Sequence, residues 1–346
     1  MTRRRFLIVV LIFLLILLAA LIAGFLAFRQ NTAGAAAVET PGFSHVRTLY
    51  GWGNEPDQLF SQPFGGIYRN GSLYVVDKGR AQVIQMTPTG ELQRIFGSRG
   101  TKPEELSGPT GVEVDAAGNV YVSDGAPKSR IVVYAPDGKY LRQVELDAQP
   151  LAFAIADGRM FVTTAQSVKV LSMPDLAELT SWGTPGKGIE EFNHPNGVAF
   201  DPKTGTVYVS DGNNLRVKAM DEQGRTLWVF GQPPAGMNDA GPSRRFGLAG
   251  GMAFGQGYLF VTDPLDGVIH VISPKGEEVA QLGEIGGADG EFENATMITT
   301  MSGDQYAVVE WGNARVQIFA IDAEQAIAAW QDQGGAAPVQ AVGGGQ

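Results

Sequence analysis

The chain has 346 residues, 44% apolar and 18% charged, and its 26 basic and 36 acidic side chains give a net charge of −10. That balance can bury a sizeable core and excludes disorder as the default, while the acidic excess excludes nucleic acid as a natural partner, since phosphates are held by clustered Lys and Arg. With no Cys, disulfides, thiolate metal sites, iron–sulfur clusters and covalently attached haem are all excluded.

Residues 1–5 include Arg3, Arg4 and Arg5 and precede an uncharged run of 23 residues, FLIVVLIFLLILLAALIAGFLAF, at 6–28. As a helix it would extend about 35 Å at 1.5 Å per residue, enough to cross a bilayer of roughly 30 Å. The arginines ahead of it put residues 1–5 in the cytoplasm. The run therefore reads as a single-pass signal anchor in the cytoplasmic membrane, with all that follows on the extracytoplasmic side. A cleaved signal peptide is the alternative, because NTAGAAA at 31–37 offers small residues for cleavage, but the apolar run exceeds the roughly 7–15 residues of a signal-peptide core. Residues 29–43 are a linker. Without the four arginines of the first thirty residues, the net charge is −14.

From residue 44 the chain repeats. Gly-rich segments YGWGNEPDQLFSQPFG (50–65), FGSRGTKPEELSGPTG (96–111), WGTPGKGIEEFNHPNG (182–197) and LGEIGGADGEFENATM (282–297) each precede a short apolar strand, a turn and a second strand. That second strand ends in an acid at Asp77, Asp124, Asp211, Asp263 and Glu310, and in Thr164 in the third unit. A polar loop, a third apolar strand, a tight turn such as APDG or SPKG and a fourth strand complete each unit. The period is about 46 residues. Strands apolar on both faces must be covered by neighbouring sheets, which blades set around an axis achieve without long free edges.

Inner strands following Pro63, Pro109, Pro150, Pro195, Ala249 and Ala295 number six. The sixth unit has no fourth strand after Val316–Ala320, whereas HVRTLY at 45–50 has the look of one. The ring is therefore expected to close by pairing this N-terminal strand into the last blade, giving an all-β six-bladed β-propeller at 44–321. The Ala/Gly/Gln-rich segment 322–346 reads as a flexible tail, whose loss from 326 onward should leave the fold intact.

This pattern resembles the NHL-repeat family over nearly all of 44–321. The likeness rests on P-x-G-V-x-x-D at Pro109–Asp115 and Pro195–Asp201, on the YVxD strand end, and on an Arg five or six residues beyond the acid at Arg130, Arg216 and Arg315. Gln82, Lys169 and Val268 depart from that last feature. The resemblance implies the propeller fold but no single activity, since this fold hosts unrelated functions.

Recurrence around the ring assigns the strand-end acids a structural duty: accepting backbone N–H groups or pairing with the following Arg. In the related peptidyl-hydroxyglycine lyases and gluconolactonase-like propellers, residues next to the blade-opening Pro supply metal ligands. The matching positions here are Phe64, Thr110, Leu151, Asn196, Gly250 and Thr296, with no His and no carboxylate, short of the donor sets that zinc or calcium require. His45 and His270 fall in strands, and His194 reads as a loop cap. No nucleophile elbow, phosphate loop or dinucleotide fingerprint occurs, so no catalytic residue, metal or cofactor is assigned.

What remains is a loop face. Trp52 and Trp311 are expected together at the junction of blades six and one, with Phe64 toward the channel mouth, either as an aromatic binding patch or as packing beneath the linkers; Asn196, the one amide among the channel positions, is a further binding candidate. The insert 232–247, with Arg244 and Arg245, is a second candidate on the same rim. The reading that emerges is a membrane-tethered scaffold for a protein, peptide or glycan partner. A propeller hydrolase or lyase with a non-standard site is the alternative.

Overall fold

The computed structural model describes residues 40–125, 127–232, 245–335 and 342–343. The reason these residues form blades is visible in their burial: Ser72–Asp77, Val120–Asp124 and Arg130–Tyr134 are buried along their whole length, so neither face of the sheet can be left to solvent. The described residues form six four-stranded antiparallel sheets, with a fifth strand added to one of them. Blade one, for example, runs Pro63–Arg69, Ser72–Asp77, Gln82–Met86 and Leu92–Phe96 from the axis outward. An apolar cluster fills the space between each successive pair of blades. Between blades one and two it includes Val76, Val83, Phe96, Val112, Val122 and Tyr134, and between six and one it includes Leu49, Leu73, Val75, Val309 and Val316.

Glycine in the P-x-G motif follows from how closely the inner strands converge. A Cβ on Gly65 would lie 2.2 Å from the Thr110 carbonyl oxygen, and one on Gly111 would lie 2.3 Å from that of Leu151. The third motif residue is therefore set by the neighbouring blade.

The ring closes through Phe43–Leu49, which pairs antiparallel with Arg315–Ile321 and supplies the outer strand of blade six. The strand begins one residue ahead of the expected boundary at 44, because Phe43 is buried and stacks on Phe319 with centroids 4.6 Å apart. The expectation of a flexible tail from 322 is corrected. Asp322 caps a helix at Ala323–Asp332 by accepting from the Gln325 N–H. Ala323 and Ala326 are buried in the cluster between blades five and six, and Ile327 and Trp330 pack against it. Composition concealed this helix, because Ala serves equally in a disordered tail and on the buried face of a short helix. Further on, Val342–Gly343 pairs antiparallel with Trp228 and Val229 at the outer edge of blade four.

Linkers between blades are held by the strand-end acids. Asp124 accepts from the backbone N–H groups of Ser107 and Gly108, and Asp77 from those of Ser61 and Gln62. Arg130, Arg216 and Arg315 each pair with the acid of their own blade at 2.7–2.8 Å and donate to carbonyls of the incoming linker. Where the Arg is missing, other residues supply the cation. Arg80 reaches Asp77 from the loop at 2.9 Å, and His270 lies between Asp263 and Glu278 in blade five. Blade three, with no acid at Thr164, instead pairs Lys169 with Asp147 and Glu178.

The run at 6–28 lies outside the described residues, and no helix among the described residues is long and apolar enough to cross a membrane.

Candidate functional site

All six blades contribute to one cavity of about 560 Å³ at the loop end of the axis, within the roughly 300–1,000 Å³ range of small-ligand sites. Three positions of the repeat build it. The residue after the blade-opening Pro, or its equivalent, gives Phe64, Thr110, Leu151, Asn196, Gly250 and Thr296; the residue before it gives Gln149, His194, Leu248 and Asn294. The residue immediately after the strand-end acid gives Lys78, Pro264 and Trp311. The acid turns inward to hold the linker, so its successor is placed at the mouth.

Walls of Phe64, Leu151, Leu265 and Met297 are apolar, and the amides of Gln149, Asn196, Asn213 and Asn294 supply polar points among them. Among the described residues of the lining, Lys78 and His194 are the titratable side chains and no carboxylate is present. Lys78 Nζ stands 4.8 Å from the centroid of the Phe64 ring. His194 has a left-handed φ of 58°, unusual for a residue with a side chain, and burial lowers its pKa below the ordinary value, leaving it neutral at pH 7. Among the described residues no group of three His, Cys, Asp or Glu side chains is placed to hold a metal ion.

Phe64 and Asn196 both line the cavity on opposite blades, and Asn196 Nδ2 donates to the Ala249 carbonyl at 3.2 Å. The two tryptophans part company. Trp311 is 45% exposed and borders the cavity, whereas Trp52 packs on the cluster between blades six and one. No ring contact joins them. Arg245 is partly exposed and away from the cavity, where its charge helps to hold the Glu278 carboxyl low; Arg244 lies outside the described residues. Lys78, Gln149 and Asn294 escaped the sequence reading, which compared only the position after the Pro. Aligning the repeats one residue beyond the acid and one residue before the Pro would have found them.

A cavity at the opposite end of the axis, about 370 Å³, is bordered by Arg69 and Glu113. These pair at 3.1 Å, and burial raises the Glu113 pKa.

Comparison with known proteins gives two family matches: the NHL repeat over residues 192–220, and "Outer membrane protein assembly factor BamB" over residues 213–345. Among solved structures, a streptogramin B lyase aligns at 15% identity and a TM-score of 0.55, covering 82% of this chain and 89% of its own. The virginiamycin B lyase from Staphylococcus aureus aligns at 15% identity and 0.53, covering 82% and 91%. A catalytically inactive variant of that enzyme with quinupristin gives 15%, 0.55, 82% and 90%. At such identity the likeness concerns fold. Blade count, strand order and alignment together define the class as a six-bladed β-propeller. The match at 192–220, with the P-x-G and strand-end acid pattern, marks its repeats as similar to the NHL repeat.

Proposed function

We propose that the protein is a membrane-tethered, extracytoplasmic binding scaffold that receives a protein, peptide or glycan partner at the mouth of its propeller. Trp311 carries the reading: a large ring left 45% exposed at the edge of an apolar-walled cavity is the kind of group on which binding energy concentrates. The match of residues 213–345 to an outer-membrane assembly factor supports a protein as partner, and the uncharged run at 6–28 behind three arginines supports the tether. A photoreactive residue in place of Trp311, activated in the native membrane, should capture one dominant partner. The same residue in place of Asp157, at the opposite mouth, should not. Equal capture from both positions would overturn the reading, as would a mature N-terminus near residue 35 for the tether.

Hydrolase or lyase chemistry is the second reading, favoured by His194, whose ring is neutral at pH 7, borders the cavity and has no hydrogen-bond partner among the described residues. His194→Gln separates the two. A scaffold keeps its captured partner unchanged, whereas an enzyme would accumulate the captured ligand unconverted.

A further inference from the structure

Resting on the reading of the mouth as a binding site, we propose that it selects an apolar ligand bearing one carboxylate, with Lys78 as the counter-charge. The chain has 36 acidic residues against 26 basic, yet among the described residues no acid lines this cavity. Lys78 follows Asp77 in sequence but is not spent on it. Asp77 is taken up by Arg80 at 2.9 Å and by the N–H groups of Ser61 and Gln62. The Lys78 ammonium lies over the Phe64 ring, with no carboxylate partner among the described residues. Contact with a ring face holds the cation in place without satisfying its N–H donors. An arriving carboxylate meets a charge already partly stripped of water, and such charge-assisted hydrogen bonds are stronger than neutral ones.

Blade four, opposite blade one in the ring of six, presents His194, Asn196 and Asn213 to the same space. Burial keeps His194 neutral near pH 7, so the mouth offers one positive charge rather than two. Leu151, Leu265, Met297 and Trp311 cover the apolar body of the ligand. The same chemistry is presented by a small free acid and by the C-terminus of an apolar peptide.

The test uses the full-length protein in lipid nanodiscs and titration calorimetry with four probes: 4-phenylbutanoate, its primary amide, and an apolar pentapeptide with a free or an amidated C-terminus. The free-acid form of at least one pair should bind about tenfold more tightly than its amide, a preference worth about 1.4 kcal/mol. Preference for both acids points to a small acid as sufficient, and preference confined to the peptide points to a chain terminus. Lys78→Met should erase the preference and Lys78→Arg retain it, both at unchanged melting temperature. Equal affinities, tighter binding of the amides, no binding of either acid, or a preference that survives Lys78→Met would each overturn the proposal. If it fails while capture from position 311 in the membrane persists, the scaffold reading stands without the carboxylate; loss of both removes the scaffold reading itself.

Discussion

Replacing Arg315 with Met tests whether the strand-end networks hold the ring. The Arg315 side chain is 1% exposed; its Nε meets Glu310 Oε1 at 2.7 Å, and its Nη atoms donate to the carbonyls of Gly287, Ala288 and Glu291 at 2.8–2.9 Å. Met fills the volume of the aliphatic stem but donates nothing. Glu310 would keep its bonds from the Glu293 N–H, Asn313 and Gln317, yet remain a fully buried carboxylate without a cation. Breaking one side of a buried ion pair costs about 3–5 kcal/mol. Gly287 is exposed, so water can reach its released carbonyl, whereas the Ala288 carbonyl is buried and its lost donor adds to the cost. At roughly 2–4 °C per kcal/mol for a domain of 150–250 residues, the melting temperature should fall by roughly 6–20 °C. Thermal and urea unfolding of the detergent-solubilised full chain, followed by circular dichroism, measures it. Arg225→Met, whose pair with Asp221 is exposed on the Arg side, serves as control at under about 1 kcal/mol. Adding Glu310→Leu to Arg315→Met should recover part of the loss by removing the orphaned charge. A single Arg315→Met variant within about 1 kcal/mol of the parent would refute the reasoning.

Stability should also depend on pH through His270, whose pKa rises to about 9 because contacts with Asp263 and Glu278 outweigh its burial. A raised folded pKa means that this contribution is complete below the unfolded value of about 6.5 and disappears as pH rises through about 9; urea midpoints between pH 6 and 10 should decline in the parent and flatten in His270→Gln. Asp263 and Glu278, held low by the same imidazolium, should cost stability as pH falls below about 4. Truncation after residue 335 should leave the melting temperature unchanged apart from any contribution of Val342–Gly343, whereas truncation after Asp322 uncovers Phe43, Phe319 and Ile321 and should destabilise by several degrees. Trp52→Ala should lower stability by about 2 kcal/mol through lost packing, while Trp311→Ala should leave unfolding unaltered and weaken partner binding by about 2 kcal/mol.

Repeat period, blade number and ring closure were legible because they are set by patterns that recur along the sequence: an apolar inner strand in all six units, an acid at the end of the next in five and a tight turn after the third in most. A pattern that recurs at fixed spacing averages out the local ambiguity of any one strand. What stayed hidden occurs once. The helix Ala323–Asp332 depends on a small apolar patch left where Phe43 and Phe319 meet, and nothing in an Ala-rich tail announces that patch. Trp52 and Trp311 look equivalent in their Gly-rich and Asn-rich loops, but one ring faces the inter-blade cluster and the other the mouth. Which way a single ring turns is decided by tertiary packing, not by its neighbours in sequence.

The same repeat explains why the mouth, rather than another surface, is free to vary. Each strand-end acid is committed to the linker and, in blades two, four and six, to a buried Arg, so altering one of these residues costs stability. The residue after the acid and the two flanking the Pro present their side chains to the axis and take little part in those networks. They are where six near-identical blades differ most: Lys78 against Trp311, His194 against Leu248, Phe64 against Gly250. A sixfold scaffold thereby becomes an asymmetric cavity, with a cation and two aromatic rings on the side of blades six and one and amides with a neutral imidazole on the side of blade four. An asymmetric lining orients a ligand, which a ring of equivalent residues cannot do. Exchanging Lys78 with the residue at the matching position of blade six, as Lys78→Trp with Trp311→Lys, should therefore preserve folding while changing ligand preference.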